Sequence, residues 1–264
     1  MARPDVSSAH AEAEFRFYEE LNDFLPEPQR RCSIIYSFKG TPSVKDTIEA
    51  IGVPHTEIDL ILIDGESVDF SHRLVGGERV AVYPMFERLD IASATRLRAR
   101  PLRHTRFVLD VHLGRLARYL RMVGFDTLYA KDFDDHQIVA LSVSERRIIL
   151  TRDKGLLKHR AVTHGYWLRE TDPRRQLLEV LDAFYLRDSL HPFSRCIICN
   201  GELANVAKEI VNDLLPPRVR ASFECFKRCT VCAKVYWPGS HFERMQRLIE
   251  TIVSGDSTSL DQAG

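Results

Sequence analysis

The rhythm of hydrophobic and polar positions changes twice along this chain. Up to about residue 86 apolar residues alternate with polar ones in short runs. Phe15 and Phe17 alternate within "AEFRFYEEL", and "CSIIYSF" follows, so two strands are expected. After the turn "GTP", Ser43 is placed to cap the helix "VKDTIEAI", and Gly52 ends it. "LILIDGESV" predicts strand, turn and strand; "LVGGERVAVYP" predicts a Gly-Gly turn and a further strand. Strands grouped around one helix make an α+β pattern rather than a βα repeat. Cys32 falls in a predicted strand and is expected in a core.

From Arg106 the rhythm becomes an alternation of buried strands and amphipathic helices. "RFVLD" is a strand of the buried type. In "LGRLARYLRMVG", Leu113, Leu116, Ala117, Leu120 and Val123 share one face, and Arg115, Arg118 and Arg121 are assigned to the other. Gly124 ends that helix. "DTLYA" reads as a strand, and Asp135 stands where a cap belongs before "HQIVALSVSE". "RIILT" and "YWLR" are strands, and "PRRQLLEVLDAFYL" is a helix opening on proline. Such βαβαβ order predicts a parallel sheet, hence an α/β fold class for this part. The second change comes near Arg195, where paired cysteines and short strands take over. The boundaries read as 1–94, an Arg-rich linker 95–104, a sheet domain 105–190, a cysteine domain 191–250 and a polar tail 251–264.

Charge refines this picture only locally. The 264 residues carry no net charge, which excludes a polycation. Yet Arg96, Arg98, Arg100, Arg103, Arg106, Arg115, Arg118 and Arg121 face a single acid, Asp110, between positions 96 and 121. Such a stripe either meets phosphates or is a solvated face. No apolar run has the length of a membrane span, and the N-terminus lacks the apolar core of a signal peptide. A cytoplasmic protein with no membrane contact is therefore expected, and its six cysteines suggest metal or free thiols rather than disulfides.

Cys196 and Cys199 form one CxxC pair, Cys229 and Cys232 another. Each such turn aims two sulfurs at one point, and two turns complete a tetrahedral shell for Zn²⁺. Four thiolates leave no open position, so the zinc would be structural. Cys225 falls outside the pattern and reads as a spare thiol.

The remaining chemistry lies in carboxylates at strand ends. Asp110 follows "FVL", Asp135 opens a helix, and Asp153 follows "IILTR". Strand ends on one edge of a parallel sheet converge, and oxygen ligands gathered there suit Mg²⁺ or Mn²⁺. A metal-dependent nuclease is the reading. Each acid also has a local explanation, as a cap for Asp110 and Asp135 and a turn for Asp153. Arg152 is placed to meet a phosphate, as are Arg115 and Arg118, and Thr151 to bond a metal-bound water. His112 is expected to pack on its helix.

These segments resemble a known family. "RFVLDVHLGRLARYLRMVGFDTLYAKDFDD", "RIILTRDKGLL", "RCIICNGEL" and "CTVCAKVYWPGSHFERM" are similar in order and spacing to the Mut-seven C-terminal RNase family. The resemblance implies a PIN-like nuclease domain with a parallel sheet, followed by a zinc ribbon. It also implies RNA as substrate, with Asp110, Asp135 and Asp153 as the metal-holding catalytic acids. One departure concerns a Glu that many PIN domains carry in this helix: His136 follows Asp135 here, and Asp172 is the candidate for a late acid. An RNA-binding or adaptor protein with a degenerate site is the rival reading. Residues 13–86 resemble a ubiquitin-like β-grasp domain of the ThiS/MoaD type, whose chemistry needs a free C-terminal Gly-Gly. Gly76-Gly77 is internal, so a role in binding a protein partner is expected instead.

Overall fold

The computed structural model describes residues 10–84 and 105–254. The predicted linker 95–104, with Arg96, Arg98, Arg100 and Arg103, lies outside the described residues, as does the tail from residue 255. The chain divides into two compact units. One comprises Met1–Arg103 together with Asp153–Trp167; the other comprises His104–Arg152 and Leu168–Gly264.

The first unit holds β1 (His10–Phe17), β2 (Ser33–Lys39), α1 (Val44–Ile51), β3 (Ile58–Ile63), β4 (Glu66–Ser67) and β5 (Arg79–Pro84). The sheet order is β2-β1-β5-β3-β4. The central β1–β5 pair is parallel and the other pairings are antiparallel. Alternation puts Phe15 and Phe17 inward, where they pack with Ile48 of α1, Ile61 and Val82. Ser43 caps α1 by accepting the Asp46 N–H. Between β3 and β4, Asp64 and Gly65 both have positive φ, the geometry of a two-residue hairpin turn. At the Gly-Gly turn the Glu78 carboxylate accepts the N–H groups of Val75 and Gly76. A Cβ on Gly76 would lie 2.9 Å from that of Ala11. Cys32 does not join this core. It precedes β2 and is exposed, because the strand starts one residue later.

The second unit opens with β6 (Arg106–Leu109), α2 (Gly114–Met122), β7 (Asp126–Leu128), α3 (Asp135–Glu145) and β8 (Ile148–Thr151). As the alternation predicts, β6 pairs in parallel with both β7 and β8. Phe107, Val108 and Leu109 are fully buried, and so are Leu116, Ala117 and Leu120 of the α2 stripe. The chain then enters the first unit with α4 (Lys154–Leu157) and β9 (Gly165–Trp167). There Trp167 joins the core, and its N–H donates to Glu57 at 2.6 Å. Lys154 Nζ sits 4.0 Å from the Trp167 ring centroid, and the His55 ring bonds the Val162 carbonyl.

The rest of the second unit is α5 (Pro173–Ala183), β10 (Leu203–Val206), α6 (Lys208–Val211), α7 (Pro217–Ser222), β11 (Phe226–Cys229), β12 (Val235–Tyr236) and α8 (Ser240–Ser254). Asp172 caps α5, with proline in its first turn as expected. β10, β11 and β12 form a small antiparallel sheet. Val211, Leu215 and Phe226 make its minor core. The result is a mixed α/β protein with an N-terminal sheet unit and a parallel-sheet unit. No helix among the described residues is long and apolar enough to cross a membrane.

Candidate active site and metal centre

β6 and β8 run side by side in register, with Leu109 opposite Leu150. The residues just beyond them therefore meet. Thr151 Oγ1 donates to Asp110 Oδ2 at 2.9 Å, and the Asp110 N–H donates to the Leu150 carbonyl. The capping role considered for Asp110 is not filled: its side chain makes no cap bond to the turn of helix that follows. Asp135 is not the cap of α3. Asp134 is, in a capping box with Gln137, because the preceding residue has the extended backbone a cap requires. Asp135 is the exposed first residue of the helix. Asp153 caps α4, its carboxylate accepting the Gly155 N–H at 2.7 Å. His136 is exposed at the start of α3.

A cleft of about 690 Å³ opens in the second unit beside the end of β6. Arg115 and Arg118 from α2, Arg152 from the end of β8, Lys131 and His112 all line it, and among the described residues no carboxylate does. Arg115, Arg118 and Arg152 are exposed. His112 is also exposed, so it does not pack as expected. Tyr129 forms part of the lining, its hydroxyl bonded to the Val111 carbonyl at 2.9 Å. A Cβ on Gly114 would lie 2.6 Å from that hydroxyl, so the ring and the start of α2 are pressed together. Field lines from several cations focus in a concave wall of low dielectric, which favours a polyanion.

Arg121 overturns the expectation of a solvent-side charge. It is 4% exposed and donates Nε to the Thr127 carbonyl at 2.9 Å. Its Nη1 donates to the carbonyls of Ile198 at 2.8 Å and Ile197 at 3.3 Å. Position explains this: Arg121 stands four residues after buried Ala117, on the edge of the apolar stripe. A second buried polar contact lies nearby. Asp126 accepts from Arg147 and from Asn200, each at 2.7 Å. Burial opposes ionisation of Asp126, but these two hydrogen bonds together with the charges of Arg147 and Arg195 hold the carboxyl below its usual range.

The four cysteines of the CxxC pairs converge. Their sulfurs all lie within 4.8 Å of one another, Cys196 being 3.6 Å from Cys232 and Cys199 3.4 Å from Cys229. A tetrahedral Zn²⁺ with Zn–S of about 2.3 Å needs sulfurs about 3.8 Å apart, so the donor set fits. Among the described residues this is the one group of three or more Cys, His, Asp or Glu with ligand atoms so close. Burial disfavours the Cys196 thiolate, yet the Tyr236 hydroxyl at 3.0 Å and nearby backbone N–H groups bring that thiol down to about 6. Burial pushes Cys199 up to about 12. Cys225 is exposed, outside the group. Lys131 and Tyr129 carry no motif, and sequence reasoning did not single them out.

Comparison with known families gives two matches. A model described as the Mut7-C RNAse domain matches residues 105–249. A model described as Mut7-C ubiquitin matches residues 10–90. No curated protein and no solved structure matches the chain.

Proposed function

From the premise that the chain belongs to the Mut7-C RNAse domain family, whose model covers more than half of it, we propose that it is a metal-dependent ribonuclease with a PIN-like site. The observation that carries this reading is the basic cleft opening beside Asp110. Arg115, Arg118 and Arg152 would hold the phosphate backbone, which fixes register without reading sequence. Asp110 and Asp135, with Asp153 two residues past the end of β8 in the chain, would hold Mg²⁺ or Mn²⁺. Mg²⁺ keeps several waters and takes only one or two carboxylates beside substrate phosphates, so a tight cage of acids is not required. When bound, the ion supplies a water of lowered pKa and neutralises charge at the phosphorus. Thr151 would keep the Asp110 carboxylate aimed.

Cys196, Cys199, Cys229 and Cys232 would hold a structural Zn²⁺ in a ribbon-like sheet. Free thiols at that centre suit a reducing, cytoplasmic compartment. The N-terminal unit, β-grasp in its strand order, would bind a protein partner. The capping role of Asp153 favours a second reading, an RNA-binding or adaptor protein with a degenerate site. Incubation with labelled single-stranded RNA, structured RNA and DNA, with Mn²⁺ or with chelator, separates the two. Mn²⁺-dependent cleavage of RNA supports the nuclease. Binding without cleavage under any metal supports the adaptor.

A further inference from the structure

The basic cleft and the thiol centre share a loop. Ile197 and Ile198, the two residues between Cys196 and Cys199, belong to the cleft lining. Ile198 is 50% exposed despite its apolar side chain. The conformation of a CxxC turn is set by the need to bring both sulfurs to one metal. The wall that Ile197 and Ile198 provide is therefore shaped by what the thiols hold.

Arg121 ties that wall to the rest of the cleft. It stands on α2, the helix that also carries Arg115 and Arg118. Its guanidinium reaches the carbonyls of Ile197 and Ile198 at one end and Thr127 at the other. A buried guanidinium that loses its acceptors is costly, so the contact resists separation. Asn200, next after Cys199, makes a parallel tie. It accepts the Thr127 N–H at 2.9 Å and donates to Asp126 at 2.7 Å. Two adjoining segments of the first cysteine turn are thus fastened to β7 and α2.

We propose that Arg121 is a positioning residue that locks the first cysteine turn as a wall of the nucleic-acid cleft, so that metal loading of the four thiols sets the affinity of that cleft. This rests on reading the cleft as the nucleic-acid site. Arg121 also lines the cleft, but its Nε and Nη1 donors are engaged by three carbonyls, which fixes it between the turn and β7. The thiol centre then regulates binding without touching the ligand.

The test uses the full chain, a labelled single-stranded oligoribonucleotide and fluorescence anisotropy without Mg²⁺ or Mn²⁺. Zinc-loaded Arg121→Gln should bind roughly tenfold more weakly than wild type, with an unchanged slope of log affinity against log salt. It should also surrender zinc to a chelator faster. Stripping zinc from wild type should weaken binding to a similar degree, and reloading should restore it. Stripping should cost Arg121→Gln little more, since both changes release the same wall. Equal binding by loaded and stripped wild type would overturn the inference alone. A slope reduced by about 0.7 in Arg121→Gln would make Arg121 a phosphate contact and overturn its positioning role. If Arg121→Gln fails to fold, Arg121→Lys, which keeps the buried charge but not the fork, decides in its place. Absence of binding by zinc-loaded wild type would remove the proposed function, and the inference with it.

Discussion

Thr151 and Asp110 lie 41 residues apart in the chain and 2.9 Å apart in the fold, hydroxyl to carboxylate. The contact follows from parallel register: β6 and β8 end side by side, so the residues that follow them meet. It gives a strand-end acid a fixed direction that helix capping would not.

Replacing Thr151 by Val keeps the shape and removes the donor. Stability should fall by about 1 kcal/mol, read as a lower melting temperature. Mn²⁺-dependent cleavage should drop about tenfold, the usual cost of losing a group that orients a metal ligand. A variant as active as wild type would leave Asp110 without a need for Thr151.

Asp126 should make stability pH-dependent. Its folded pKa is lowered, so its contribution is complete above the ordinary carboxylate value of about 3.9 and is lost as pH falls through the folded value. Below about pH 4, Asp126→Asn should show a shallower fall in melting temperature than wild type. At neutral pH the variant should lose roughly 2 kcal/mol, less than for a fully buried pair, because Arg147 retains Glu145. An unchanged acid limb would assign the pH dependence to other carboxylates.

Removing residues 1–94 deprives the segment Asp153–Trp167 of the unit it belongs to. Lys154 loses the carbonyl of Asp23, and Trp167 loses Phe24 and Glu57. Limited proteolysis of the truncated chain should therefore cut within 153–167, where the full chain resists. Equal resistance would mean that this segment needs no partner.

Arg115 and Arg118 are exposed and line the cleft. Their double replacement by Ala should leave the unfolding free energy within about 0.5 kcal/mol of wild type. Oligoribonucleotide binding should weaken, and the salt slope should fall by up to about 1.4, two phosphate contacts on a single strand. An unchanged slope would return both arginines to a merely solvated face.

Much of this was legible in the chain. The α2 stripe, the alternating strands and the Asp64-Gly65 turn are local patterns, and local patterns survive folding. The two CxxC turns are local as well, and the resemblance to the Mut7-C family rests on motifs of that kind. What was not legible depends on position or on distance. Arg121 was assigned by its charge, although its spacing from Ala117 put it at the buried edge. The cap of α3 is Asp134 rather than Asp135 because backbone angles decide between neighbours. His112 faces the cleft, and Cys32 falls one residue outside its strand. The membership of Asp153–Trp167 in the first unit depends on contacts such as His55 to Val162, 107 residues apart, which no periodicity records.

The activity proposed for this chain is metal-dependent cleavage of RNA by Asp110, Asp135 and Asp153. The most direct measurement compares wild type, Asp110→Asn and Asp153→Asn for cleavage of labelled single-stranded RNA across an Mn²⁺ titration, with the melting temperature taken in parallel. The account predicts that wild type cleaves and that each variant loses cleavage by about a thousandfold or more, as when a group acting at the reaction centre is removed. Melting temperatures should change little, since the side chain introduced by Asp153→Asn can still cap α4 and the amide oxygen introduced by Asp110→Asn can still accept from Thr151. Wild-type cleavage retained in both variants would contradict the account.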